Sequence, residues 1–120
     1  VELDLSGLLI GEKEMGLIAL CNNLDWLEID QTPITNSEMG QLKGLPKLRL
    51  LKVYETGIGD EGLAVLQNLT NLKKLYLWRT AVTQNGLEGL KAKKPALLVD
   101  NGVDPKLQVF FEPKDSTVAK

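Results

Sequence analysis

The chain has 120 residues, a length that predicts a single domain with a core of moderate size. Its 14 basic and 16 acidic residues leave a net charge of −2, which gives no electrostatic indication of a nucleic-acid partner or an anionic membrane. The sequence contains no histidine, the commonest general base and neutral metal ligand. A single cysteine, Cys21, excludes an internal disulfide and leaves the redox compartment open.

No apolar run approaches the roughly 18 residues that a membrane span needs. The opening residues, "VELDL", have neither Met nor the basic-then-apolar layout of a signal peptide. We therefore expect a piece of a longer protein, without a membrane span of its own.

Hydrophobic residues recur along the chain with a period of 24 residues. When the sequence is written in rows of 24 residues, they fall in the same columns in four successive rows, with no insertion. A row of this length can bury its apolar side only against the next copy, so the rows are expected to stack into a solenoid. The first three apolar columns are Leu3, Leu27, Leu51 and Leu75, then Leu5, Ile29, Val53 and Leu77, then Ile10, Ile34, Ile58 and Val82.

Each row predicts the same elements in the same order. A strand comes first, as in "LRLLKVYET", because its apolar residues alternate with others. A bend follows, marked by Pro33 in the second row and by Gly57 and Gly59 in the third. A short helix ends the row, as in "GLAVLQNL", because its apolar residues recur every three or four positions. Thr35 and Glu38 have the spacing of a capping box at the start of the second helix.

The stretches "LDWLEIDQTPI", "LRLLKVYETGI" and "LKKLYLWRTAV" resemble the leucine-rich-repeat pattern L-x-x-L-x-L-x-x-N/C-x-L, with Thr in the Asn/Cys place. The resemblance implies an α/β fold, a right-handed solenoid and fragment of a horseshoe with a parallel concave β-sheet and short convex helices. We expect this domain to span residues 1–102, followed by a cap or tail, or the start of another segment, at residues 103–120.

The form "T-x-I-T-x-x-G-L-x-x-L" resembles repeats of bacterial multidomain proteins. The ending "LYLWRTAVTQNGLEGLKAKKPALLVDNG" looks like the terminal repeat of arrays attached to bacterial c-type cytochromes. The haem motif C-x-x-C-H is absent from the sequence, so any haem would lie in another domain. The sequence itself gives no localisation; the resemblance alone implies an extracytoplasmic one, periplasmic or at the cell surface.

Two further columns predict structural roles. Thr32, Thr56 and Thr80 occupy the place where side chains in this family turn inward, so we expect them to hydrogen-bond the backbone of the neighbouring loop. Leu8 interrupts this column in the first row. Cys21 aligns with buried leucine positions, and we expect it to fill the core.

The residues between the buried strand positions should point outward, across the expected concave face. Both tryptophans and both tyrosines of the chain fall on this face. The outward columns are Glu2, Trp26, Leu50 and Lys74, then Asp4, Glu28, Lys52 and Tyr76, then Ser6, Asp30, Tyr54 and Trp78, with Gln31, Glu55 and Arg79 beside them.

An aromatic patch ringed by charge is typical of an interaction site, because Trp, Tyr and Arg are enriched at binding hot spots. We therefore predict a non-catalytic module that binds a protein or peptide partner. The predicted binding residues are Trp26, Glu28, Asp30, Leu50, Lys52, Tyr54, Lys74, Tyr76, Trp78 and Arg79.

Three alternatives stay open. The rings pair well across strands, and Glu28–Lys52 and Glu55–Arg79 match in charge, so the face could be purely structural. The array could be a spacer or cap of a larger bacterial chain, cytochrome-linked or not. Exposed rings could also stack on sugars and bind carbohydrate.

Catalysis finds little support in the sequence. It has no histidine, no phosphate-binding loop and no nucleophile elbow, and it indicates neither a cofactor nor a metal. Asp4, Glu28 and Asp30 share the expected concave face, but we interpret them as solvated carboxylates rather than an acid–base pair.

The two ends differ. The first row has no polar cap, which predicts upstream repeats, a preceding domain or self-association at that edge. In the fourth row Pro95 should stop the helix, and "ALLVDNG" supplies a last strand. Phe110 and Phe111 are expected to fold back over the last repeat; otherwise they begin another segment or bind in trans.

Overall fold

The computed structural model describes residues 1–42 and 45–100, and within them strands and helices alternate along the chain. The strands are β1 (Glu2–Asp4), β2 (Trp26–Glu28), β3 (Leu50–Lys52), β4 (Lys74–Tyr76) and β5 (Leu98–Asp100). The helices are α1 (Glu12–Ile18), α2 (Asn36–Met39), which continues into the 3₁₀ turn Gly40–Leu42, α3 (Asp60–Leu66) and α4 (Gln84–Lys93).

The five strands form one parallel sheet in chain order. Leu3 pairs with Leu27, Leu27 with Leu51, and Leu51 with Leu75, so neighbouring strands are offset by one 24-residue repeat. Leu75 then pairs with Val99, which confirms the last strand. The residues of each predicted strand column therefore lie side by side on neighbouring strands of the sheet.

The apolar columns form one continuous core between the strands and the helices. Leu27, Leu51 and Leu75 are fully buried, and helix residues such as Met15 and Met39 are buried with them. Burial of this apolar surface contributes about 25 cal/mol per Å². None of the described helices is long and apolar enough to cross a membrane.

The threonine column has a structural role, but its bonds differ from the expected ones. The hydroxyl of Thr32 donates to the carbonyl of Ile29 at 2.7 Å, three residues earlier in the same repeat. Thr80 repeats the arrangement with Leu77 at 3.0 Å. The acceptor belongs to the threonine's own row because the chain turns immediately after the strand and brings that carbonyl within reach.

The first two helices are capped by residues of their own repeat. The carboxylate of Glu14 accepts from the backbone N–H of Gly11 at 2.8 Å, and Glu38 accepts from that of Thr35 at 2.6 Å. The predicted spacing of Thr35 and Glu38 is therefore confirmed as a contact at the helix start.

The next two helix starts are held by the preceding repeat. The side-chain oxygen of Asn36 accepts from the backbone N–H of Gly59 at 2.8 Å and of Gly62 at 3.0 Å. Asp60 accepts from the backbone N–H and the hydroxyl of Thr83, at 2.8 and 2.6 Å. Glycine at position 62 leaves room for Asn36, since a Cβ there would lie 2.9 Å from its oxygen.

The prediction that Cys21 fills the core is wrong, because its side chain is exposed. Leu45 and Leu69, in the same column, are 2% and 1% exposed. The first repeat has a repeat packed on one side only within the described residues, and Leu17 and Leu20 of the same row are also exposed. The predicted boundary after residue 102 and the proposed cap with Phe110 and Phe111 lie outside the described residues.

Candidate functional site: the sheet face

The strand side chains that point away from the helices form a surface that we call the sheet face. Six of the ten predicted binding residues belong to β2, β3 and β4. The other four follow a strand end by two or three residues and continue this surface: Asp30, Tyr54, Trp78 and Arg79. Most are half-buried, Arg79 is exposed, and Asp30 is fully buried. The strand register brings the rows together as expected, with Trp26 beside Leu50 and Lys52 beside Tyr76.

Three of the four aromatic rings are in contact. Trp78 stacks on Tyr54, with ring centroids 4.0 Å apart and planes inclined by 15°. Tyr76 meets Trp78 edge to face, at 5.9 Å and 72°. Such pairs contribute about 0.5–1.5 kcal/mol beyond the area they bury. These three rings, with the separate Trp26, are called the aromatic cluster below.

Two lysines lie over the rings. The ammonium of Lys52 is 5.0 Å from the centroid of Tyr76 and 5.8 Å from that of Trp26. The ammonium of Lys74 is 5.1 Å from the centroid of Tyr76. These are cation–π distances, so Lys52 links Trp26 to the rest of the aromatic cluster.

Charged side chains pair between neighbouring repeats, as expected. Lys52 lies 3.5 Å from the carboxylate of Glu28, which also accepts from the indole N–H of Trp26 at 2.9 Å. Arg79 lies 3.4 Å from Glu55 with its own side chain three-quarters exposed. The exposed pair contributes little to stability, whereas the Glu28–Lys52 pair is more shielded from water.

Asp30 departs from the expectation of a solvated carboxylate. Its side chain is 1% exposed, and Oδ1 has no hydrogen-bond donor among the described residues. Burial raises the pKa of Asp30 from 3.8, while a hydrogen bond from Tyr54 acts in the opposite direction. The carboxylates of Glu28 and Asp4 raise the pKa further, because like charges disfavour ionisation.

The hydroxyl of Tyr54 lies near the same carboxylates. Burial and its hydrogen bond to Asp30 raise the pKa of Tyr54 to about 12, and the charges of Asp30, Glu28 and Glu55 act in the same direction. The phenol therefore stays protonated at neutral pH and can donate to a carboxylate.

Sequence reasoning missed a backbone feature at the edge of the sheet face. Gln31, Glu55 and Arg79 adopt left-handed conformations with φ of 58°, 56° and 54°, and Gly7 has φ 77° in the same column. Non-glycine residues seldom adopt this conformation. Their side chains form a ladder, in which Gln31 donates to Glu55 at 3.2 Å and Arg79 pairs with Glu55 from the other side. The glycine at position 7 is the one signal that could have revealed it.

An open groove lies beside the sheet face, at the edge where the strands begin. It encloses about 690 Å³ and has a mixed polar and basic lining, which sequence reasoning also missed. Its lining residues are Val1, Asn23, Asp25, Lys47, Arg49, Asn71 and Lys73. Within residues 1–42 and 45–100, no group of three or more His, Cys, Asp and Glu side chains could hold a metal ion.

Comparison with solved structures finds repeat proteins of bacteria. A leucine-rich-repeat protein of Leptospira interrogans superposes with a TM-score of 0.59 and 28% identity over 82% of this chain. An internalin of Listeria monocytogenes matches 74% of this chain and 31% of its own, with a TM-score of 0.45 and 21% identity. The chain spans 24% of the Leptospira protein.

No family model and no curated protein matches the sequence. The fold nevertheless follows from the five parallel strands in 24-residue register, the alternating helices and the likeness to the Leptospira protein. The chain is a leucine-rich-repeat solenoid.

Proposed function

We propose that the chain is a non-catalytic interaction module that binds a protein or peptide partner through the sheet face. The observation that carries the proposal is the aromatic cluster, because all four Trp and Tyr residues of the chain lie on this one face. Half-buried rings that are already ordered by stacking lose little conformational entropy when a partner covers them. Lys52, Lys74 and Arg79, with Glu28 and Asp30, would set the register and selectivity of the partner.

A selection of random displayed peptides on the folded chain tests this proposal. Binders should lose at least about tenfold in affinity when Tyr76 and Trp78 are both changed to Ala, since hot-spot truncations cost about 2 kcal/mol or more. The matched control changes Leu17 and Leu20 to Ala, an exposed apolar pair on the first repeat, away from the sheet face. Circular dichroism would establish that both double variants are folded.

Binders that tolerate the Tyr76 and Trp78 changes, or that lose as much affinity with the control pair, would refute the proposal. Selection that yields no binder would favour the spacer alternative, which the mutual packing of rings and charges supports. The attachment of this array to a cytochrome-bearing chain stays a hypothesis that rests on the sequence resemblance. Quenching of tryptophan fluorescence by oligosaccharides would favour carbohydrate binding instead.

A further inference from the structure

Three carboxylates lie together at the β1–β2 end of the sheet face. Asp4 and Glu28 are direct partners in the register of the two strands, and Asp30 follows Glu28 by two residues on the same face. Like charges directly opposite each other destabilise a strand pair. We call Asp4, Glu28 and Asp30 the acidic group.

Positive charge on the described residues only partly matches this group. Lys52 lies 3.5 Å from Glu28, and its charge is also the smallest of the causes that act on the lowered pKa of Asp4, after the hydrogen bonds from Ser6 and burial. Asp4 accepts two hydrogen bonds from Ser6, at 3.0 Å from its backbone N–H and 2.6 Å from its hydroxyl, which are neutral donors. Asp30 receives a hydrogen bond from Tyr54, also a neutral donor, and its Oδ1 has none among the described residues.

A buried carboxylate oxygen without a donor is costly, and such groups in folded proteins call for an explanation by water, an ion or a function. Asp30 itself is buried, but the two other carboxylates of the acidic group are accessible. Asp4 is exposed, and Glu28 is 21% exposed, so a ligand can approach both directly. The negative potential of Asp30 adds to theirs without contact, because it acts through a poorly polarisable interior.

Tyr54 borders the acidic group through its hydrogen bond to Asp30, and Trp78 stacks on Tyr54 in the next repeat. Aromatic faces attract cations, and guanidinium groups stack on them as well as pairing with carboxylates. Carboxylates beside an ordered ring stack form a surface complementary to a cation on an apolar stem.

We propose that the acidic group and the Tyr54–Trp78 stack together receive a cationic side chain, Arg or Lys, of the partner polypeptide. This inference rests on the proposed function and names the chemistry of the partner at one end of the sheet face. The cation would lie against Asp4 and Glu28, beside the ring stack, and would offset the buried charge of Asp30.

The test uses the peptide acetyl-Arg-Gly-Arg-Gly-Arg-amide and its citrulline counterpart, which keeps the shape but carries no charge. In an NMR titration of the folded chain, the arginine peptide should bind at least about tenfold more tightly. Its shifts should centre on Asp4, Glu28, Tyr54 and Trp78. Equal binding of the two peptides, or shifts centred elsewhere, would overturn the inference.

Variants separate local recognition from general attraction by charge. Asp4→Asn with Glu28→Gln should weaken the arginine peptide at least about fivefold. The control Glu12→Gln with Glu61→Gln removes the same charge from exposed sites on α1 and α3, and should leave affinity within about twofold. An equal loss in both double variants would mean that net charge alone attracts the peptide, and would sink the proposal.

The carboxyl group of Asp30 gives a second readout. A cation that binds beside it should lower the pKa of Asp30, measured by carbon-detected NMR. This shift would oppose the effects of burial, Glu28 and Asp4, and would add to that of the hydrogen bond from Tyr54. No change in this pKa on binding would contradict the assigned position. Selected peptides that depend on Tyr76 and Trp78 but contain no Arg or Lys would refute this inference and leave the proposed function standing.

Discussion

Trp78 lies flat against Tyr54, with ring centroids 4.0 Å apart, just beyond the ends of the neighbouring strands β3 and β4. The two residues belong to successive repeats and occupy the same column, which ends in Asp30 and Ser6 in the preceding rows. One stack therefore joins the third and fourth repeats on the side opposite the helices. It forms an ordered aromatic surface on the sheet face, and it also holds the two repeats together.

Because of this double role, Trp78→Ala should lower stability as well as binding. The variant loses its contacts with Tyr54 and Tyr76 and part of its buried ring, so we expect the free energy of unfolding to fall by about 1–3 kcal/mol. Urea denaturation would measure it. Trp26→Ala is the control and should cost less, because Trp26 loses one hydrogen bond to Glu28 and a contact with Lys52 but no ring contact. Equal losses in the two variants would show that the stack adds nothing beyond burial.

Asp30→Asn should stabilise the fold at neutral pH. The pKa of Asp30 is raised from 3.8 in the folded state, so the wild-type chain is favoured at low pH and loses that advantage as pH rises through the raised pKa. Removing the buried charge should add about 1 kcal/mol at pH 7 and little near pH 3. Unfolding measured across this range would show the difference between the two proteins growing with pH.

The neighbouring hydroxyl supplies a control for this prediction. Tyr54→Phe keeps the ring but removes the donor that lowers the pKa of Asp30, so the pKa should rise further and stability at pH 7 should fall. If Asp30→Asn were destabilising at every pH, the charge would have a stabilising partner that the described contacts lack.

Two residues of one column offer a test of capping between repeats. Asp60 and Asn36 both accept backbone N–H groups at the next helix start, but only Asp60 carries a charge. Hydrogen bonds from Thr83 lower the pKa of Asp60 below 3.8, so its contribution is present at neutral pH and is lost as pH falls through that lowered value.

Asp60→Ala should therefore be clearly destabilising at pH 7 and less so at a pH below the lowered pKa of Asp60, whereas Asn36→Ala should cost a similar amount at both. Thermal unfolding of the two variants and the wild type at each pH would measure these effects. A pH-independent cost for Asp60→Ala would mean that its charge has no part in holding Thr83.

Much of the fold could be predicted from the sequence because the same hydrophobic pattern recurs in each repeat. Leu27, Leu51 and Leu75 agree at a fixed spacing, and the solenoid is the arrangement that buries them all. The same reasoning failed for Cys21, since a column predicts burial only where a repeat covers it on both sides.

The residues of the sheet face could be predicted from the sequence, but the burial of their side chains and their backbone conformations could not. Alternation placed Asp30 in the same column as Tyr54 and Trp78, yet it could not show that the Asp30 carboxylate would be buried and hydrogen-bonded to Tyr54. The left-handed conformations of Glu55 and Arg79 were equally hidden, because neither residue type favours that conformation. The burial of Asp30 depends on the side chains around it, and the left-handed conformations depend on backbone angles. The residue types in one column of the sequence reveal neither.

Gly86→Ala should be destabilising, although alanine is the better helix former. A Cβ at position 86 would overlap the carboxylate of Asp60, which is held by Thr83 and cannot retreat without breaking that cap. We expect a loss of about 1–3 kcal/mol in the free energy of unfolding. Gly89→Ala is the control on the same helix, since a Cβ there meets nothing within 4 Å, and it should gain up to about 1 kcal/mol. The double variant Gly86→Ala with Asp60→Ala should recover part of the loss, because it removes the obstructing carboxylate. A stabilising Gly86→Ala would mean that the third and fourth helices can separate at no cost, and that glycine at this position does not serve the contact between repeats.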